Sequence, residues 1–257
     1  LTRVTLLQPE LFWEDRDANL LAFSKILEDL DEKTDVIFLP ELFTTGFTMR
    51  SRDLAESMDG KTVDWMREMS GRLKADLVGS LIVRDHGKFY NRLIWMKPDG
   101  LHVHYDKRHL FRMSGEDEHY DPGRDRAIIL SGALRFCPLI CYDLRFPVWS
   151  RNQGDYDVLV YIANWPMQRR DVWRNLLVAR AIENQAFVLG INRVGRDGMG
   201  IEYSGDTMAI DARGREMGSL ESGKPGLLTI GLSSRELSDF RGKFPVWKDS
   251  DPFRLMH

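Results

Sequence analysis

Two spacings of apolar residues alternate along the chain. Residues 4 to 8 (VTLLQ) form an apolar run of strand length. Leu20, Phe23, Leu27 and Leu30 then recur at helical spacing, which predicts a helix reaching about Lys33. VIFLP at 36 to 40 is a second buried strand, and Val63, Met66 and Leu73 mark a second amphipathic helix. DLVGSLIVRD follows as a strand, after which KFYNRLIWM and LHVHYDK flank the turn residues KPDG as a hairpin. The first half therefore reads β-α-β-α-β-β-β.

The order recurs with strand ALRFCPLICY, a short helix near 146 to 153, strand VLVYIANW, a helix from about 170 to 184, and strand AFVLGINRVG. DTMAIDARG and GLLTIGL are expected to close this half as hairpin strands. No sequence repeat links the halves, yet their similar element order suggests two α/β layers meeting through their sheets. Buried strands rich in Val, Ile and Leu beside amphipathic helices give the class as α/β, arranged as a four-layer α-β-β-α sandwich. The chain, 1–257, is expected to be a single domain. Its end, about 236–257 and including RGKFPVWKDSDPFRLMH, reads as an irregular tail with two prolines, packed on the domain by its aromatics.

Composition narrows the function classes. Of 257 residues 43% are hydrophobic, enough for a sizeable core. Lys plus Arg number 36 against 39 acids, a formal net charge of −3, and no basic run interleaves with aromatics, so nucleic acid is not an expected partner. No apolar stretch reaches the roughly 20 residues of a bilayer span, and the N-terminus lacks a basic segment followed by an apolar one. Leu1 in place of Met suggests a trimmed chain. On an extended strand of about 3.3 Å per residue, Cys137 and Cys141 lie beyond the roughly 7 Å Cα limit of a disulfide. Two free thiols fit a reducing cytoplasm, and their spacing, with no His pair nearby, does not suggest a zinc site.

Three side chains of reactive type stand directly after apolar strands. Cys141 ends the run in RFCPLICYDLRFP, a position common for α/β active-site residues, although a lone cysteine is more often a packed hydrophobe than a nucleophile. Glu41 follows the strand in VIFLPELF, where loss of water makes a carboxylate a better proton acceptor. Solvation or a local turn cap would equally suit a single glutamate. Lys107, in HVHYDKRHLF, follows a strand and precedes Leu110 and Phe111, though a lone lysine is ordinarily a surface residue.

Together these residues change the picture. PELFTTGF, YDKRHLF and ICYDLRFP resemble, in order and interval, the Glu, Lys and Cys motifs of the nitrilase superfamily of carbon-nitrogen hydrolases. The resemblance continues through RAIENQAFVLGINRVG and SGDTMAI, covering about residues 3 to 235, and KRHLFRMSGE with CYDLRFPVWSRN is most similar to the omega-amidase branch. It implies Cys141 as nucleophile, Glu41 as general base and Lys107 as stabiliser of the tetrahedral intermediate. Chemistry agrees: a thiol of pKa about 8.5 attacking an amide at neutral pH needs a base or a nearby cation. Lys107 and the Tyr142 backbone N–H are the expected oxyanion donors.

Glu116, in MSGEDEHY, matches a second glutamate of the family that orients the lysine or the substrate; with Asp117 and Glu118 beside it, an acidic surface loop is the alternative. Arg145 could bind a substrate carboxylate in bidentate fashion, or anchor a loop through Asp143 or Glu183. Phe43, Tyr142 and Trp165 are candidate pocket walls. The resemblance thus implies an amidase for the terminal amide of a small dicarboxylic acid monoamide, of the 2-oxoglutaramate or 2-oxosuccinamate type. No metal or organic cofactor is expected, and a homodimer or larger homo-oligomer is. Nitrilase, carbamoylase or other aliphatic amidase activity would use the same three residues, and a non-catalytic binding protein keeping the fold is the alternative of another class.

Overall fold

The computed structural model describes residues 1–30 and 33–255. The first sheet contains β1 (Thr2–Gln8), β2 (Val36–Phe38), β3 (Asp76–Asp85), β4 (Lys88–Met96) and β5 (His102–Asp106). The second contains β6 (Ile129–Ser131), β7 (Leu134–Ile140), β8 (Val158–Ile162) and β9 (Phe187–Ile191). A small hairpin, β10 (Val194–Arg196) with β11 (Glu202–Ser204), leads to β12 (Met208–Ile210), β13 (Glu216–Ser219) and β14 (Gly226–Leu232). The strand orders are β14-β1-β2-β3-β4-β5 and β13-β12-β9-β8-β7-β6. Each sheet is parallel at its centre, β1-β2-β3 and β7-β8-β9, with antiparallel strands outside.

Strand alternation builds the layers. In β2, Val36 and Phe38 join the core shared with the second sheet, whereas Ile37 faces the cluster of Leu20, Phe23, Leu27, Val63 and Met66 on helices Arg16–Glu28 and Lys61–Leu73. Across the middle, Trp95 meets Phe136 at 5.1 Å between ring centroids, while Phe38 of its own sheet packs against it at 5.6 Å. Helix Arg170–Asn184 covers the outer face of the second sheet with buried Trp173, Leu177 and Ala181. The result is the α-β-β-α sandwich, and among the described residues no helix is long and apolar enough to cross a membrane.

Three elements differ from expectation. The first helix ends at Glu28, because Thr34 and Asp35 already bond to the Arg3 carbonyl and the chain must leave the helix to reach that register; residues 31–32 of the expected helix lie outside the described residues. GLLTIGL does not close the second half: as β14 it runs antiparallel to β1, from Thr2 opposite Leu232 to Gln8 opposite Gly226. Hydrophobic pattern marks a strand but does not name its sheet. The tail begins as a helix, Ser234–Lys243, capped by the Ser233 hydroxyl on the Glu236 N–H. Nor is it packed by its aromatics throughout, since Phe244 and Trp247 are exposed, while Leu237 enters the core and Phe240 and Leu255 lean on it. Met256 and His257 lie outside the described residues.

Candidate active site

The site assembles at strand ends. β2 stops at Phe38, and the chain turns sharply at Leu42, whose φ of 45° lies in the left-handed region; Ser80 holds the turn, its hydroxyl accepting from the Leu42 N–H at 2.8 Å. This places Glu41 under the joint between the sheets. β7 ends at Ile140, and Cys141 again has φ 45°. A left-handed backbone is costly for a side-chain-bearing residue and persists when its surroundings impose it. Here Asp143 does so: its carboxylate accepts from the Ile140 N–H at 3.0 Å, the Tyr105 hydroxyl at 2.7 Å, and the His109 N–H and ring Nδ1 at 3.0 and 2.8 Å. The lysine-bearing segment after β5 and the cysteine turn are thereby tied to one buried carboxylate.

Glu41, Lys107 and Glu116 are 0%, 1% and 0% exposed, so their charges must be matched within the protein. Lys107 Nζ donates to Glu41 Oε1 at 2.9 Å and to both Glu116 oxygens at 2.9 and 3.0 Å. Glu41 also accepts from Asn91 Nδ2 and the Asn164 backbone N–H, each at 2.8 Å. Burial works against the lysine charge, but Glu116 and Glu41 outweigh it and hold the ammonium well above the usual lysine range. Burial raises the Glu116 carboxyl, with Lys107 pulling against it. Burial, and next the charge of Glu41, also push the Cys141 thiol well up, Lys107 opposing them. The thiol therefore rests protonated beside the Lys107 ammonium. Transfer of the thiol proton to Glu41 moves negative charge from oxygen to sulphur without changing the total.

Cys141 lines a cavity of about 480 Å³ walled largely by apolar groups, including Trp13, Phe47, Phe111, Tyr142 and Trp165. The sequence candidates Tyr142, Arg145 and Trp165 are on its wall. Arg145 does not anchor a loop through Asp143 or Glu183: Asp143 is engaged by Tyr105 and His109, and Glu183 by Arg180 at 3.0 Å. Phe43 is a correction. Its ring lies in the outer core, 5.5 Å from Phe23 and 5.8 Å from Trp65, in space that exists because residue 79 is glycine; a Cβ there would stand 2.8 Å from the Phe43 ring. Glu116 is buried beside Lys107 while its neighbours Asp117 and Glu118 face solvent. Among the described residues, no group of three or more His, Cys, Asp or Glu side chains is arranged to hold a metal ion.

A family profile for carbon-nitrogen hydrolases matches residues 3–241. This chain belongs to that family. The omega-amidase YafV of Yersinia enterocolitica is 45% identical over 254 residues, 99% of this chain and 98% of that protein. A 2-oxoglutaramate amidase of Bacillus subtilis is 31% identical over 252 residues, 96% of each. A solved CN-hydrolase superfamily protein of Xanthomonas campestris, which carries an arsenic adduct in its active site, matches with a TM-score of 0.97 at 40% identity over 99% of both chains.

As a carbon-nitrogen hydrolase the chain is an enzyme, and its site contains residues that the sequence reading passed over. Asn164 stands directly after an apolar strand, the same signal that marked Glu41; besides its N–H, its Nδ2 donates to the Glu41 carbonyl at 2.6 Å. Asn91 is a buried amide inside a strand that otherwise turns apolar, a polar residue where only a partner justifies it. Phe47, Trp13 and Arg169 carry no such signal, because loops remote in sequence bring them to the cavity.

Proposed function

We propose that this chain is an amidase that hydrolyses the terminal amide of a small dicarboxylic acid monoamide, of the 2-oxoglutaramate or 2-oxosuccinamate type, to the acid and ammonia. The observation that carries the chemistry is the convergence of Glu41, Lys107 and Glu116 around the Cys141 thiol; the substrate class rests on the omega-amidase and 2-oxoglutaramate amidase relatives. Glu41 takes the thiol proton as sulphur attacks the amide carbon. The carbonyl oxygen gains negative charge and is held by the Lys107 ammonium and the Tyr142 N–H, each such donor contributing about 3 kcal/mol. Collapse breaks the C–N bond, Glu41 returns its proton to nitrogen, and ammonia leaves a thioester on Cys141. Water then gives a proton to Glu41 and attacks the thioester carbon; the thiolate departs and recovers the proton. Glu116 keeps the lysine in place throughout, and Asn91 with the Asn164 N–H keeps Glu41 aimed at sulphur.

Tyr142, Arg145 and Trp165 contact the acyl part, with Arg145 available to the distal carboxylate because no acid of the described chain engages it. The reading comprises a single hydrolase domain with no cofactor, acting as a homodimer or larger homo-oligomer in the cytoplasm, with no nucleic-acid or membrane partner. Two free thiols support the compartment, and the net charge of −3 supports the absence of a nucleic-acid partner. The test is ammonia release from 2-oxoglutaramate, 2-oxosuccinamate, glutamine, asparagine, a simple nitrile and an N-carbamoyl amino acid, with Cys141→Ala in parallel. The expected result is turnover of the oxo-acid amides that vanishes in the variant. Turnover confined to another compound would keep the nucleophile and replace the substrate.

A further inference from the structure

The charged groups lining the cavity divide into those already matched and those not. Glu14 accepts from Arg50 Nη1 at 2.7 Å, and Arg50 also reaches Asp53 at 3.0 Å. Asp197 accepts from the Tyr203 hydroxyl at 2.8 Å and from the N–H groups of Met199 and Ile201, both at 2.9 Å. Lys107 is shared between Glu41 and Glu116. Two lining cations remain. Arg145 stacks over Trp165 and Arg169 over Phe111, each guanidinium carbon 5.3 Å from the ring centroid, and neither meets a carboxylate among the described residues. Stacking uses the flat face of a guanidinium and leaves the N–H edge free to donate. Behind the wall, fully buried Arg193 lies over the Tyr203 ring at 4.7 Å, its charge set against those of Asp197 and Glu10.

Such a cavity discriminates by charge. A carboxylate next to a keto oxygen offers adjacent acceptors to two forked donors. The same carbon skeleton bearing an ammonium in place of the keto group would set a third positive charge beside two unmatched ones. Neither lining carboxylate is free to receive it: Glu14 is paired with Arg50, and the charge of Asp197 faces that of buried Arg193.

Resting on the amidase reading, we infer that Arg145 and Arg169 together form the subsite for the non-reacting end of the substrate, selecting a 2-oxo carboxylate and rejecting the corresponding 2-amino acid. Arg169 is thus a specificity residue contributed by the loop after β8, and Arg145 by the cysteine turn itself.

The experiment compares kcat and KM of the wild type, Arg145→Met, Arg169→Met and Arg169→Lys on three amides: 2-oxoglutaramate, 4-oxopentanamide, in which a methyl group replaces the carboxylate, and glutamine. The expected result is that each Met variant loses roughly 10- to 100-fold in the ratio of kcat/KM for 2-oxoglutaramate to that for 4-oxopentanamide, mainly through KM, the magnitude of one charge-assisted hydrogen-bond pair. The ratio of glutamine to 2-oxoglutaramate should rise in the same variants, and Arg169→Lys should recover part of both ratios by restoring the charge. Thermal melting of each variant identifies a folding defect, which would lower all three activities together and leave the ratios in place. Unchanged ratios in folded Met variants would overturn the inference while the amidase reading stood. A wild type that releases ammonia from 4-oxopentanamide or glutamine but not from 2-oxoglutaramate would overturn the reading and the subsite with it.

Discussion

The floor and the rim of the cavity treat charge in opposite ways. On the floor, cavity-lining Lys107 and, behind it, Glu41 and Glu116 are removed from water and answer one another within 3.0 Å, with Asn91 and Asn164 satisfying what remains of Glu41. On the rim, Arg145 and Arg169 rest on aromatic rings and find no acid among the described residues. A fully buried charge without a partner costs several kcal/mol, so floor charges have to be matched in every state of the enzyme. A rim charge is partly hydrated and can stay unmatched until substrate arrives. The proposed bond-breaking chemistry suits the floor, where the protein supplies both signs, and the proposed selection among substrates suits the rim, where the substrate supplies one of them.

The contrast can be broken most severely at Glu41, the proposed base. Glu41→Gln should reduce ammonia release by about 10³-fold, within the range for loss of a positioned general base. Because the charge of Glu41 is one of the forces keeping the proton on sulphur, second only to burial, the same variant should begin to alkylate at Cys141 at lower pH than the wild type. Iodoacetamide labelling against pH measures this, and an unmoved onset would separate Glu41 from the thiol.

Next in size is Lys107→Met, which leaves two buried carboxylates sharing no cation. Urea unfolding should show a loss of about 3–5 kcal/mol, far more than any rim substitution causes. Adding Glu116→Leu should return part of that stability without returning activity. A single variant as stable as the wild type would mean that water reaches the floor, and the contrast between the two regions would fail.

Asn91→Leu removes one of three donors to Glu41 while leaving the ion pair intact. A drop of about 10-fold in kcat/KM is expected, the worth of one hydrogen bond to a charged group. Steady-state kinetics at saturating and limiting substrate would show it mostly in kcat.

The smallest effect belongs to Cys137, inside β7 and four residues before Cys141. Burial pushes its thiol from 9.0 to about 12. Above pH 9 the unfolded chain releases this proton while the folded chain keeps it, so stability falls as pH rises toward 12, by about 1.4 kcal/mol per pH unit. Cys137→Ala should lower stability at neutral pH by only about 1 kcal/mol, leave kcat unchanged, and flatten the alkaline decline by one proton's share.

Much of this was legible from residue order alone, and what escaped has a common cause. β3, β4 and helix Arg170–Asn184 follow the apolar period because burial there is continuous and local. Glu41, Lys107 and Cys141 stood out because a reactive side chain directly after an apolar strand is a one-dimensional pattern. Glu116 needed the family motif, since nothing local separates it from its exposed acidic neighbours. Phe43 was misassigned because proximity in sequence to Glu41 is not proximity to the cavity: the left-handed turn at Leu42 sends the ring toward Trp65. Arg169 and the sheet joined by β14 depend on contacts between distant segments, for which periodicity has no term.

The pairing of β1 with β14 bears on how the molecule comes into being on the ribosome. Thr2 lies opposite Leu232, so β1 waits for β14 before its outer edge is covered. Contacts this remote in sequence close slowly and leave an apolar edge open meanwhile. Glu41 and Lys107 follow strands of the sheet that this pairing completes, whereas Cys141 follows a strand of the other. Competence should therefore switch on late and all at once, and a nascent chain halted before residue 226 would hold every reactive side chain and still lack a finished enzyme.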